Sequence, residues 1–303
     1  MIAPLIPDTG RWLVPITHAT STALSLHLHS YGSCPHEDLR RLPAGAGDAE
    51  ATLKNAAKLV EAEFTFPYLA HAPMEPLNGV IEIMADGTVE LWAGSQFQTV
   101  EQATVAAVLG LKPEQVKINT MWAGGSFGRR ATPNADYLLE IALIAKATAG
   151  KPPIHLVWTR EDDIRGGRYR PMVLHKVRAA PRCLRPHRGL GPSHRSVVVH
   201  HRHRVRADVV KNGVDRLAIE GTADMPYHLD NLSVDWHQAS SLVTTLWWRS
   251  FGHTHTAQVV EVMMDVLATE AKRDPVEFRL SMLKPACKAQ GFEMKRRERY
   301  RRL

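Results

Sequence analysis

One short run constrains this chain more than any other: Gly124-Gly125-Ser126-Phe127-Gly128-Arg129-Arg130. A β-rich stretch, Val116–Trp122, precedes it, and a helical apolar stripe of Tyr137, Leu138, Ile141, Ile144 and Ala145 follows it. Closely spaced glycines let the backbone turn tightly and bring its N–H groups near a ligand. A helix start behind such a turn adds partial positive charge. Arg129 and Arg130 read as two planar forks for phosphate or another anion. The run is neither a Walker loop nor a G-x-G-x-x-G fingerprint. A large anionic cofactor is the expected ligand, and a glycine turn with two solvated arginines is the plainer reading of the same residues.

The surrounding pattern is strand and helix in alternation. Leu53, Ala56, Ala57 and Val60 fit one helical face, and Glu63–Tyr68 reads as a short strand. Val80–Ala85 and Thr88–Trp92 flank Asp86-Gly87, which predicts a hairpin with a type I′ turn. Thr99 and Gln102 form a capping-box pattern, and Gly110 stands where a helix would end. Thr132-Pro133 offers a helix start, Gly150-Lys151-Pro152 a stop, and Ile154–Thr159 a strand. Further on, a turn is expected at Asn212-Gly213, a strand near Leu217–Glu220 and another toward Trp236. Helices are expected at about residues 256–272 and behind Asp274-Pro275. The fold class is α+β, with mixed sheets and packed helices.

Two more constellations bear on chemistry. Trp247-Trp248-Arg249-Ser250-Phe251-Gly252 repeats the logic of an arginine, a planar ring and a glycine before a helix. Two such corners could clamp one flat ligand, whereas either alone could be a packed aromatic corner. His71-Ala72-Pro73-Met74-Glu75-Pro76 stiffens a loop around Glu75, and Gln96 follows a strand end, where a carboxamide can both donate and accept. Capping of the loops is the plainer reading there. His253-x-His255 and the His200, His201, His203 cluster lack companion ligands, so no metal site is assigned. Cys34, Cys183 and Cys287 have neither disulfide-framework nor iron–sulfur spacing.

Charge matters here through its distribution. Lys+Arg is 38 against 31 Asp+Glu, a net charge of +7 over 303 residues. Residues 181–206 alone hold seven arginines and no acid, and 295–302 hold six basic residues and one acid. A globally basic surface is excluded, and two local basic runs remain. The first could bind RNA or an acidic surface by counterion release, but it lacks aromatics for base stacking. No apolar run is long enough to cross a bilayer. Met1–Pro7 shows no export signal, so the cytoplasm is the default and the compartment stays open.

Taken in order, these segments resemble the molybdopterin-binding large subunit of the xanthine dehydrogenase/aldehyde oxidase family, most closely the isoquinoline 1-oxidoreductase beta subunit. Phe66–Pro76, Trp92–Gln96, Gly124–Arg130, Trp247–His255 and Asp274–Arg279 carry the likeness. It implies a first molybdopterin-binding half-domain at 51–180 and the start of a second at 205–284. Residues 1–50, 181–204 and 285–303 fall outside it as a poorly patterned start, an irregular basic insert and a charged tail. It implies that Gln96, Glu75, Arg249 and Phe251 line the metal and substrate pocket. Gly124, Gly125, Phe127, Gly128, Arg129, Arg130 and Gly252 would hold the cofactor, a molybdopterin in its cytosine dinucleotide form. Relatives hydroxylate an N-heterocycle or an aldehyde with water as oxygen source. They pass electrons to [2Fe–2S] clusters, in this branch on a separate small subunit. Neither nucleic acid nor membrane insertion is implied.

The chain departs from that pattern in two places. Ser126 replaces a third glycine, which fits only where the backbone needs no positive φ. The glutamate base that relatives carry toward the C-terminus has no counterpart here, so an incomplete subunit, inactive and unable to hold cofactor stably by itself, is expected. A basic nucleic-acid- or acidic-surface-binding protein and a non-functional gene remnant are the alternatives.

Overall fold

A computed structural model describes residues 40–41, 49–180, 197–200, 210–211, 214–229, 231–238 and 243–283. In chain order the first elements are β1 (Arg40–Arg41), α1 (Ala49–Lys54), β2 (Val60–Phe66), β3 (Leu69–Ala70), β4 (Asn78–Ile83) and β5 (Val89–Ala93). Then come α2 (Gln98–Leu109), β6 (Val116–Thr120), α3 (Asp136–Ala147), β7 (Ile154–Val157), α4 (Arg160–Arg165), β8 (Tyr169–Arg170) and β9 (Val173–Ala179). Last are β10 (Val197–His200), β11 (Val210–Lys211), β12 (Val214–Asp215), β13 (Asp235–Gln238), α5 (His253–Glu270) and α6 (Pro275–Met282). The mixture is α+β, as expected.

The chain divides into two compact units: Tyr68–Pro171 with Leu242–Arg249, here the loop unit, and Met1–Pro67, Met172–Ser241 and Ser250–Leu303, here the helix unit. The loop unit is built on a four-stranded sheet in the order β6-β5-β4-β7. β4 pairs antiparallel with β5 and β7, and β5 pairs parallel with β6. The parallel pair requires a crossover, and α2 supplies it. Leu77 just before β4, Ile81, Val89 and Leu91 from the sheet, Val105 from α2 and Leu138 and Ile141 from α3 form its buried core. Truncating such a leucine or isoleucine to Ala costs about 2–5 kcal/mol. In the helix unit β2 pairs antiparallel with β9, and β13 lies between β1 and β10, parallel to the latter. α5 buries Val259, Val260, Met263, Met264 and Leu267 in that unit's core with Phe64, Val177 and Trp236.

Several local expectations need correction. The hairpin holds, but Ala85 and Asp86 keep negative φ and only Gly87 is left-handed (φ 82°), with Gly87 N–H on Met84 O at 2.9 Å. That is a type I turn closed by a glycine bulge, because Asp86 turns its carboxylate onto Thr88 N–H instead of adopting positive φ. α2 starts at Gln98 without a side-chain cap, although Gly110 ends it in the left-handed region as expected (φ 74°). α3 starts at Asp136, later than Thr132-Pro133 suggested, yet the Thr132 hydroxyl still accepts from Asp136 N–H. Val60 opens β2 and is not part of a helix, and Leu217–Glu220 is turn, not strand. Val197–His200 forms a strand inside the supposedly unpatterned basic insert. α6 is capped by Asp274, whose carboxylate accepts from Val276 and Glu277 N–H, as its sequence suggested. The three cysteines, His201, His203 and the Asn212-Gly213 turn lie outside the described residues. Among those described, no helix is long and apolar enough to cross a membrane.

Candidate functional site

The glycine run forms a loop between β6 and α3, at one end of the loop-unit sheet. Gly125 and Gly128 take φ of 100° and 102°, and Phe127 between them is left-handed at 55°. Ser126 keeps a negative φ, so the departure from glycine costs no backbone strain. Its hydroxyl accepts from Arg130 N–H at 3.1 Å and donates to the Gln96 side-chain oxygen. Two motifs 30 residues apart therefore meet through one serine. Gln96 is exposed, and its Nε2 donates to no described residue. The amides of Gly125, Ser126, Phe127 and Gly128 likewise have no acceptor among the described residues, whereas those of Arg129, Arg130 and Ala131 bond back into the loop.

The two arginines are not solvated, as the plainer reading had them, and their forks are turned to the protein's own acids. Each is 1% exposed. Arg130 reaches Glu75 Oε2 at 3.1 Å and donates to Gly125 O at 3.2 Å. Arg129 pairs with Asp136 at 3.0 Å, lies 3.9 Å from Asp163 and sits over the Trp158 ring. A buried guanidinium needs such partners, since removing one leaves an uncompensated charge. Both side chains hold the loop from beneath.

Glu75 is similarly committed. Its carboxylate accepts from Asn78 at 2.8 Å, from Gly124 N–H at 2.5 Å and from Arg130. The Asn78 bond, the Gly124 amide and Arg130 hold it below the usual carboxylate range. Arg160 ties down the same loop through Pro73 O and Met74 O. Under Gln96, Ser95 bonds Glu101, a fully buried residue of the first turn of α2 whose carboxyl burial pushes upward. Tyr137 is pushed up to about 12 by burial and by Glu101.

Segment 243–249 closes the group. Its backbone runs against Gly128, where an added Cβ would stand 3.1 Å from Trp247 O. Arg249 N–H donates to Phe127 O at 2.8 Å, and its exposed guanidinium lies 6.0 Å over the Phe127 ring. The structure thus gathers Glu75, Gln96, Gly124, Gly125, Phe127, Gly128, Arg129, Arg130 and Arg249 in the loop unit. Phe251 and Gly252 belong to the helix unit, at the start of α5. Ser250 and Phe251 are left-handed there, at 67° and 47°. Gly252 is a glycine for steric reasons, since a Cβ would stand 2.2 Å from Leu217 O. Among the described residues, no cluster of three His, Cys, Asp or Glu side chains could hold a metal ion. Sequence reasoning gave no role to Trp248, which stacks between His71 and Phe127, or to Glu101. A glutamate in a helix's first turn behind a Gly-Ser-Gln strand end was the available signal for the latter.

Left-handed, amide-lined and flanked by an aromatic wall and a cation, this loop is chemically suited to a flat anionic ligand. Residues 34–182 match the molybdopterin cofactor-binding domain. The chain is thus similar to molybdopterin-binding proteins of the xanthine dehydrogenase and aldehyde oxidase type. It is 32% identical over 225 residues to isoquinoline 1-oxidoreductase subunit beta of Brevundimonas diminuta, covering 70% of this chain and 27% of that protein. It is 30% identical over 244 residues to a membrane-bound aldehyde dehydrogenase [pyrroloquinoline-quinone] of Gluconacetobacter polyoxogenes, covering 76% and 30%. In fold it is similar to the aldehyde oxidoreductase of Desulfovibrio gigas, with TM-score 0.66 and 21% identity over 84% of this chain and 27% of that one. The chain therefore spans between a quarter and a third of these proteins' length.

Proposed function

We propose that this chain supplies the loop that holds a molybdopterin, as its cytosine dinucleotide, in a molybdenum hydroxylase acting on an N-heterocycle or an aldehyde, with a small [2Fe–2S] subunit as electron partner. The run of four amides without acceptors among the described residues, Gly125 to Gly128, carries this reading. Such a nest favours anionic oxygens. When bound, the cofactor supplies the redox centre for transfer of oxygen from water.

The chain's own residues have separable roles. The loop amides donate to the cofactor's oxygens. Gln96, fixed through its side-chain oxygen, offers Nε2–H as a further donor. Phe127 and Trp248 form an apolar wall, and Arg249 places a cation at its edge. Arg129, Arg130 and Glu75 hold the loop's shape. Glu75 is an unsuitable base because its ionised form is already stabilised by three donors.

Titration of the full chain with free molybdopterin cytosine dinucleotide, followed by pterin fluorescence, tests this. A saturable change is expected, weakened about tenfold, or about 1.4 kcal/mol, in Gly128→Ala. A change that does not saturate, or identical curves, would overturn it.

A further inference from the structure

His71 lies in the loop unit, 3% exposed, with both ring nitrogens on backbone carbonyls. Nδ1 is 3.0 Å from Arg168 O and Nε2 is 2.9 Å from Trp247 O. One ring face stacks on Trp248 at 4.7 Å, and Trp248 stacks in turn on Phe127 at 5.9 Å and 9°. The partners differ in kind. Arg168 is part of the run that continues from α4 into β8. Trp247 sits on segment 243–249, which returns to this unit after an excursion through the other. Main-chain bonds that also hold that segment include Tyr169 N–H to Thr244 O, Leu246 N–H to Tyr169 O, and Arg249 N–H to Phe127 O.

A carbonyl only accepts, so each contact with His71 needs a ring N–H, and a neutral imidazole has one. Burial, together with the nearby Arg129, holds His71 below its usual range, while the two carbonyls and Asp163 act in the opposite sense. The ring therefore serves one carbonyl fully at a time, and which one it serves decides what the residue does. If the proton is on Nε2, the ring ties the returning segment to the 71–76 loop, whose Glu75 in turn accepts from Gly124 N–H.

We propose that His71 is a positioning residue that clamps segment 243–249 onto the 71–76 loop, whose Glu75 holds Gly124, through Nε2–H and Trp247 O, and so helps to fix Arg249 over Phe127. It touches neither cofactor nor substrate in this role. Its functional meaning rests on the reading of the glycine loop as the cofactor site, but the clamp itself does not.

Two conservative variants separate the two ends of the ring, because a glutamine amide nitrogen stands near the place of Nε2 and an asparagine amide nitrogen near that of Nδ1. In full-length protein, hydrogen exchange of the segment amides, Leu246 and Arg249 above all, is compared among wild type, His71→Gln, His71→Asn and His71→Ala. His71→Gln should keep the wild-type rates. His71→Asn and His71→Ala should speed exchange on the order of fivefold, the net worth of one hydrogen bond. Amides of β4, β5 and β6 should not change in any variant. A filling role alone would rank the variants by volume or loosen the whole unit, and either result overturns the clamp. Asn behaving as wild type while Gln behaves as Ala would overturn it too. If the variants do not fold, ring nitrogen resonances of the wild type decide: a protonated Nε2 supports the clamp and a lone Nδ1–H contradicts it. Neither measurement uses cofactor, so failure here leaves the cofactor reading intact, and failure to bind cofactor leaves the clamp intact.

Discussion

The glycine loop 124–130 and the start of α5 at 249–255 look alike in sequence, each with arginine, phenylalanine and glycine before a helix, yet they are built on different physics. In the first, the arginines are buried and paired with Glu75, Asp136 and Asp163, and the glycines are needed for positive φ. In the second, Arg249 is exposed, Gly252 has an ordinary helical φ of −61°, and the residues with positive φ are Ser250 and Phe251. One junction spends its charges on holding its own shape and leaves its amides open. The other leaves its charge open and uses its glycine for close backbone packing. A shared sequence pattern therefore does not carry a shared role from one junction to the other.

The largest contrast should come from the arginines. Arg130→Met removes the buried guanidinium's bonds to Gly125 O and to the partly exposed Glu75 and is expected to cost about 3 kcal/mol, whereas Arg249→Ala should stay within about 0.5 kcal/mol. Thermal or denaturant unfolding compares them, and equal effects would erase the distinction. Among the glycines, Gly252→Ala drives a Cβ into Leu217 O and should destabilise by about 1–3 kcal/mol or more. Gly125→Ala meets nothing nearer than 3.6 Å and pays only for its left-handed backbone, about 1–2 kcal/mol. Smaller again, Ser126→Ala removes the bond to Gln96 and one acceptor for Arg130 N–H, at about 1 kcal/mol.

The smallest effect is in pH. Glu75 is held below its ordinary value of 4.5 in the folded chain. Its stabilisation is therefore present above that value and lost as pH falls through the lower folded one. Glu75→Gln should flatten the acid limb of a stability profile in that window and lower stability at neutral pH, where the carboxylate's contribution is fully present and the buried Arg130 loses its anion. An unaltered acid limb would show that the carboxylate is free of its partners.

Much of the architecture was legible from local signals. Gly110, Asp274-Pro275, the apolar stripe of α3 and the Asp86-Gly87 hairpin each declare themselves within a few residues. What failed was decided at long range. Arg129 and Arg130 read as forks for an anionic ligand or as solvated side chains, as arginine usually is, and the approach of Glu75, Asp136 and Asp163 that buries them gives no local sign. Val60 fitted a helical period until pairing with Ala179 drew it into a strand. His71 stood in a quoted motif, but its second carbonyl, Trp247 O, lies 176 residues away and gives no local sign.

The most direct test of the central claim is a footprint. Hydrogen exchange of the full chain is measured with and without free molybdopterin cytosine dinucleotide, resolved at residues 124–131. Protection confined to the four open amides from Gly125 to Gly128, with Arg129 to Ala131 unchanged, is the expected result. Unchanged exchange at those four amides under saturating cofactor, or protection elsewhere alone, would contradict it.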